Sequence, residues 1–144
     1  MRVLTLGTFD LFHEGHVEFL RRCRAIADTT PHGSVVVGLN TDRFAAAYKR
    51  PPVIPYHGRE SVLRACRYVD DVVANDQADG SAADVIDALS PDIVAVTMDW
   101  HPTSGRDWFE QIGLAPGWFR GRAIGIEWIP YTHGVSTTAI KAAL

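Results

Sequence analysis

Two histidines and an aspartate crowd into the ten positions from Gly7 to His16, which read GTFDLFHEGH. His13 and His16 flank Gly15 in an H-x-G-H arrangement, and Asp10 stands three residues before the first of them. Imidazole N–H groups at this spacing suit the stabilisation of charge on a phosphate during a displacement. A glycine between them lets the backbone approach an anion where any side chain would clash. The same two histidines could start a metal set, but no third His or Cys lies nearby to complete a zinc site. Asp10 admits two roles: holding a Mg²⁺ that bridges a polyphosphate, or orienting its own turn through backbone hydrogen bonds. A second polar group, Ser136, Thr137 and Thr138, follows Gly134 and precedes the apolar-patterned end Ala139–Leu144. One hydroxyl there is explained by an N-cap, whereas three in a row suit a grip on phosphate by side chains and backbone together.

Placing these groups is the task of the elements around them. Val3–Leu6 is an apolar run that reads as a buried strand, and a helical pattern from Gly15 carries Val17, Phe19, Leu20, Cys23 and Ile26. A strand, a turn and a helix N-terminus make a ready anion site, because the first helical N–H groups are unpartnered and the helix dipole is positive there. Further strand-like runs fall at Ser34–Leu39, Val72–Ala74, Ile93–Val96 and Ile126–Ile129. Helical patterns fall at Arg59–Val69, Ala82–Leu89 and Arg106–Ile112, with a last helix from Ser136 and a helix after Leu39 that Asp42 would cap. Alternation of this kind predicts an α/β, Rossmann-like fold: a parallel sheet flanked by helices, in one domain over residues 1–144. Ligands of such sheets bind outside the carboxyl ends of the strands, where Gly7–Asp10 and Thr97–Asp99 would both lie. Tyr48–His57, with three prolines, and Ala115–Arg122, with Pro116, Gly117 and Gly121, read as irregular segments and candidate lids.

Composition narrows the function classes. A net charge of −3 argues against a nucleic-acid-binding surface while leaving room for a small anionic ligand held by local cations. Cys23 and Cys66 fall in helical, apolar surroundings and read as reduced thiols. Neither a leader nor a membrane span is legible, so a cytoplasmic protein is expected.

The block GTFDLFHEGH resembles the G-x-F-D-x-x-H-x-G-H signature of the cytidylyltransferase family of nucleotidyltransferases, especially the small bacterial-type glycerol-3-phosphate cytidylyltransferases. The likeness continues through Asn40-Thr41-Asp42, Arg59, Arg67-Tyr68-Val69-Asp70, Met98-Asp99-Trp100 and Gly134-Val135-Ser136-Thr137-Thr138, in the family's order. It implies attack by a substrate phosphate oxygen on the α-phosphorus of CTP, with Mg²⁺ as cofactor and pyrophosphate as leaving group. His13 and His16 would then be the catalytic donors. Gly7, Thr8, Phe9, Asp10, Gly15, Gly134, Ser136, Thr137 and Thr138 would hold the nucleotide, with Asp10 a candidate for the metal. Lys49, Arg50, Arg59, Arg67, Asp99 and Trp100 would meet the phosphorylated substrate, and a homodimer would form near Arg67–Asp70. Arg59 and Arg67, eight residues apart on one expected helix, would share a face.

One block departs from the pattern. The family's usual R-T-E-G-I-S-T has Tyr131 here in place of its arginine and His133 in place of its glutamate. A phenol lacks a guanidinium's charge and fork, so Arg120 or Arg122 is the expected substitute cation. Heptose-phosphate adenylyltransferases resemble this chain in lacking that arginine, which makes ATP with a sugar phosphate the alternative substrate pair. A nucleotide-binding module without turnover is a third reading, though binding alone would not call for both histidines.

Overall fold

The computed structural model describes residues 1–130 and 136–144. Five parallel strands form one sheet in the order β3-β2-β1-β4-β5: β1 Arg2–Gly7, β2 Ser34–Asn40, β3 Asp71–Asn75, β4 Ile93–Thr97 and β5 Gly125–Ile129. Every strand-like run of the sequence is a strand. Helices α1 Glu14–Ala27, α2 Asp42–Tyr48, α3 Tyr56–Ala65, α4 Ala83–Leu89, α5 Trp108–Ile112, α6 Pro116–Arg120 and α7 Thr137–Ala143 connect or follow them. Hydrophobic burial falls into two clusters. One joins Phe19, Leu20, Cys23 and Ala27 of α1 and Leu63 of α3 to Val3, Val35, Val37 and Val72. The other joins Ile86, Trp108, Ile112 and Phe119 to Leu4, Val36, Val94 and Val96. Alternate residues of β1 and β2 thus enter different cores, so both faces of the sheet are covered, as an all-parallel sheet requires.

Strand order reverses direction at β1, whose neighbours are β2 on one side and β4 on the other. The crevice beyond the carboxyl ends of strands at such a reversal is where open α/β sheets bind ligands. The chain puts its H-x-G-H turn there.

Several boundaries differ from the sequence expectation. Helix α3 runs Tyr56–Ala65, so Arg67 lies in the turn beyond it and does not share a helix face with Arg59. The three prolines confine the irregular segment to residues 49–55, since α2 reaches Tyr48 and α3 opens at Tyr56. Thr41, not Asp42, caps α2, its side chain accepting from Phe44 N–H. Residues 115–122 are not a lid: Pro116 opens helix α6, and Phe119 is buried against Trp108. The two thiols are free, Cys23 buried in α1 and Cys66 half-buried just past α3. Among the described residues no helix is long and apolar enough to cross a membrane.

A buried guanidinium locks the loops above the sheet. Arg59 is 1% exposed. Its Nε donates to Ile54 O at 2.8 Å, and its Nη1 to Thr8 O at 2.8 Å and Asn40 O at 3.0 Å. Its Nη2 donates to Asp42 Oδ1 at 2.7 Å. Replacing Arg59 by Met would leave three inward carbonyls without donors. The expected loss is about 3–5 kcal/mol, the scale for leaving several buried carbonyls without donors, since the half-exposed Asp42 would be rehydrated. Arg59→Lys would recover only part of it, because a point ammonium cannot reproduce the planar fork. Denaturant titration of the three proteins measures this, and a loss below about 1 kcal/mol for Arg59→Met would show the lock to be dispensable.

Candidate active site

The loop leaving β1 is built around left-handed backbone. Phe9 has φ 50° and Leu11 φ 49°, a region that costs non-glycine residues energy and persists only where neighbours impose it. Asp10 between them is the imposing group. Its Oδ1 accepts from Leu11 N–H at 3.1 Å and Ile54 N–H at 3.0 Å, and its Oδ2 from Val53 N–H at 2.7 Å. The Lys141 ammonium lies 3.4 Å from Oδ2. Burial disfavours this carboxylate, but the Ile54 and Val53 N–H groups and then Lys141 outweigh burial and hold its pKa below the ordinary value. Gly7 serves the same turn, since a Cβ there would meet the Phe9 ring at 2.9 Å. Phe9 in turn packs on His16, with ring centroids 5.3 Å apart.

The two histidines are oriented by backbone. His13 caps α1, its Nδ1 accepting from Gly15 N–H at 3.0 Å, while His16 Nδ1 accepts from His13 N–H at 3.2 Å. Their rings stack at 3.9 Å. A neutral imidazole whose Nδ1 accepts must carry its proton on Nε2, so each ring has one N–H left to give. Burial, and then the neighbouring His13, push His16 down to about 3 against the pull of Asp10. Burial also lowers His13, against Glu14. Both rings are therefore neutral Nε2–H donors near pH 7.

These groups face a cavity of about 300 Å³ lined by the ends of β1 to β4, α1 and α7. Lys49, Arg50, Arg106 and Lys141 bring positive charge to it. Burial and the cations Arg106 and Lys141 lower the Lys49 pKa, while Asp10 and Asp99 oppose them. Such a cluster of cations is a field in wait of an anion.

Most residues expected from the sequence line this cavity: Gly7, Thr8, Phe9, Asp10, His13, Gly15, His16, Lys49, Arg50, Asp99, Trp100, Ser136, Thr137 and Thr138. Two of the three hydroxyls have structural duties as well. Ser136 caps α7 by accepting from Ala139 N–H, and Thr137 donates to Asp10 O at 2.7 Å. Arg59 does not reach the cavity, because its guanidinium is taken up by the lock described above. Arg67 is exposed, lies over the Tyr68 ring and is likewise absent from the lining. Arg122 pairs with Asp87 and stacks on Trp118, and neither it nor Arg120 lines the cavity. Gly134, Tyr131 and His133 lie outside the described residues. The cations that sequence reasoning missed are Arg106 and Lys141. Arg106 precedes α5, stacks on Trp100 at 3.8 Å and pairs with Asp99 at 3.1 Å. Lys141 had a signal: it follows Thr137 by four residues, one turn along the same helix face.

Asp10 does not fit a resident Mg²⁺. Its two oxygens accept three backbone N–H bonds and face an ammonium, and no group of three carboxylate, His or Cys ligands occurs among the described residues. The structure thus favours the loop-orienting role for Asp10. Asp99 Oδ1, by contrast, is buried without a hydrogen-bond partner among the described residues, and can accept from a ligand hydroxyl.

A parallel α/β sheet whose switch point carries two Nε2–H donors on a helix N-terminus, ringed by cations, is suited to a phosphorylated ligand. The chain belongs to the cytidylyltransferase-like family of nucleotidyltransferases, whose pattern matches residues 4–143. It is 31% identical over 143 residues to glycerol-3-phosphate cytidylyltransferase of Staphylococcus aureus, a match covering 99% of this chain and 94% of that protein. It is 36% identical over 99 residues to FAD synthase of Pyrococcus horikoshii, covering 69% of this chain and 64% of that one. Its fold is similar to the crystal structure of a lipopolysaccharide core biosynthesis protein from Thermoplasma volcanium, with TM-score 0.67 and 18% identity over 92% of this chain and 96% of that one.

The depressed His16 pKa has a consequence for stability. In the unfolded chain His16 takes a proton near 6.5, in the folded one only near about 3. As pH falls below 6.5 the unfolded state therefore binds the extra proton, and stability drains away until about pH 3. Thermal unfolding at pH 7.5 and pH 4.5 should show a larger loss for the natural chain than for His16→Asn. Equal losses in the two proteins would mean that His16 titrates normally.

Proposed function

We propose that this chain transfers a cytidylyl group from CTP to a phosphorylated alcohol, with glycerol 3-phosphate the leading acceptor, releasing pyrophosphate. The observation that carries the reading is the pair of neutral Nε2–H donors, His13 and His16, held on the α1 N-terminus and facing the cation-lined cavity. A phosphate oxygen of the acceptor attacks the α-phosphorus, a new P–O bond forms, and the bond to the bridging oxygen breaks as pyrophosphate leaves. The two imidazoles donate to the α-phosphate oxygens as charge redistributes. Their fixed orientation means that little reorganisation is needed at that moment. Lys49, Arg106 and Lys141 offset the charge of the triphosphate and its leaving group. The choice of CTP and glycerol 3-phosphate is supported by the likeness to glycerol-3-phosphate cytidylyltransferase along nearly the whole chain. Mg²⁺ is expected to enter with the triphosphate as its counter-ion, since Asp10 is already engaged. Two copies of the chain are expected to pair near Arg67–Asp70.

Tyr131, standing where the family has arginine, favours a second reading: ATP with a sugar phosphate. Pyrophosphate release with Mg²⁺, for CTP and ATP each against glycerol 3-phosphate and sugar phosphates, separates the two. The expected result is release with CTP and glycerol 3-phosphate. His13→Ala should lower the turnover about 10²–10³-fold and spare most of the nucleotide affinity. Release with ATP and a sugar phosphate alone would replace the first reading by the second.

A further inference from the structure

One end of the cavity, beyond β2 and β3, is lined by uncharged groups joined in a relay. Asn75, the last residue of β3, is 2% exposed and donates from Nδ2 to Asn40 Oδ1 at 2.9 Å. Asn40 donates from its own Nδ2 to the Thr8 hydroxyl at 3.0 Å and the Tyr48 hydroxyl at 3.1 Å. Those two hydroxyls are 3.2 Å apart. The relay leaves one group over. Asn75 lines the cavity, yet its Oδ1 is buried with no hydrogen-bond partner among the described residues. Turning the amide to find a donor would break its bond to Asn40. An oriented, desolvated acceptor that opens on a ligand cavity is a recognition element for a donor brought by the ligand.

The charges around it decide which donor. Among the described residues the carboxylates lining the cavity are Asp10 and Asp99, and each already faces a cation, Lys141 or Arg106. Asp99 stands on the far side, beyond β4. Asp42 and Asp76, just past β2 and β3, lie off the lining and pair with Arg59 and Arg43. Among the described residues no carboxylate lining the β2–β3 end answers a ligand's positive charge, while Lys49 and Arg50, on the segment just after Tyr48, would repel one and attract a phosphate. A hydroxyl brings a donor without a charge.

We propose that Asn75 is a specificity-determining residue whose Oδ1 accepts a hydrogen bond from an acceptor hydroxyl, so that the acceptor is a polyol or sugar monophosphate and not an amino-alcohol phosphate. This rests on the reading of the cavity as a nucleotidyltransferase site with a phosphorylated acceptor. Calorimetric titration reads it without turnover, using glycerol 3-phosphate, a hexose phosphate, n-propyl phosphate and phosphoethanolamine. At least one hydroxylated phosphate should bind about tenfold more tightly than n-propyl phosphate or phosphoethanolamine. Asn75→Ala should erase that difference with CTP affinity unchanged, and Asn75→Asp should turn the preference toward phosphoethanolamine.

Comparable binding of n-propyl phosphate and both hydroxylated phosphates by the natural chain would overturn the proposal, with no variant needed. So would an Asn75→Ala protein that loses CTP affinity and keeps acceptor affinity, since Asn75 would then read the nucleotide. Absence of pyrophosphate release with CTP, alongside selective binding of a hydroxylated phosphate, would count against the cytidylyl reading alone.

Discussion

The site depends on two buried charges that hold three loops in register. Arg59 draws together the carbonyls of Thr8 after β1, Asn40 at the end of β2 and Ile54 before α3. Asp10 works in the opposite sense, accepting the N–H groups of Val53 and Ile54 from that last segment. One group supplies donors to carbonyls and the other supplies acceptors to amides, so backbone that could not join the sheet ladder is still satisfied. Left-handed Phe9 and Leu11 are tolerated because this lattice leaves them no alternative. The turn then delivers His13 as a helix cap and His16 as the ring stacked behind it.

Electrostatically the cavity separates permanent from neutral groups. Its cations are Lys49, Arg50, Arg106 and Lys141, while the histidines closest to the helix N-terminus are kept neutral by burial. A charged imidazole there would add to the repulsion within an already positive cavity. A neutral one still offers an aimed N–H, and its orientation is set by a backbone bond on the opposite ring nitrogen. The carboxylates are arranged as partners of cations, Asp10 with Lys141 and Asp99 with Arg106. The result is a field that favours anions, with a few oriented neutral groups set into it.

Much of this was readable residue by residue. The apolar runs and their alternation with helical patterns announced the five strands, because a sheet covered on both faces needs near-continuous hydrophobic strands. The H-x-G-H turn declared itself through residue type and spacing within one local segment. Arginine roles were not readable in this way. Arg59 and Arg67 look alike in sequence, yet one is enclosed by loop carbonyls and the other lies exposed over Tyr68. Arg106 looked like the first residue of a helix, but α5 begins at Trp108 with Asp107 as its cap, which leaves Arg106 outside to stack on Trp100. Phe119 turned an expected lid into a core helix.

Sequence by itself determined the sheet, the H-x-G-H turn and the family, since these rest on local periodicity and on motifs contained within a few consecutive residues. Only the tertiary structure decided which cations face the cavity, that Asp10 orients the loop, and that Asn75 keeps an unpartnered oxygen. A long side chain can satisfy its charge with any partner within reach. Leu11 apart, the partners of Arg59 and Asp10 lie from five to more than a hundred residues away in sequence. Which partner it takes is set by the packing of elements around it, and packing is a property of the assembled chain.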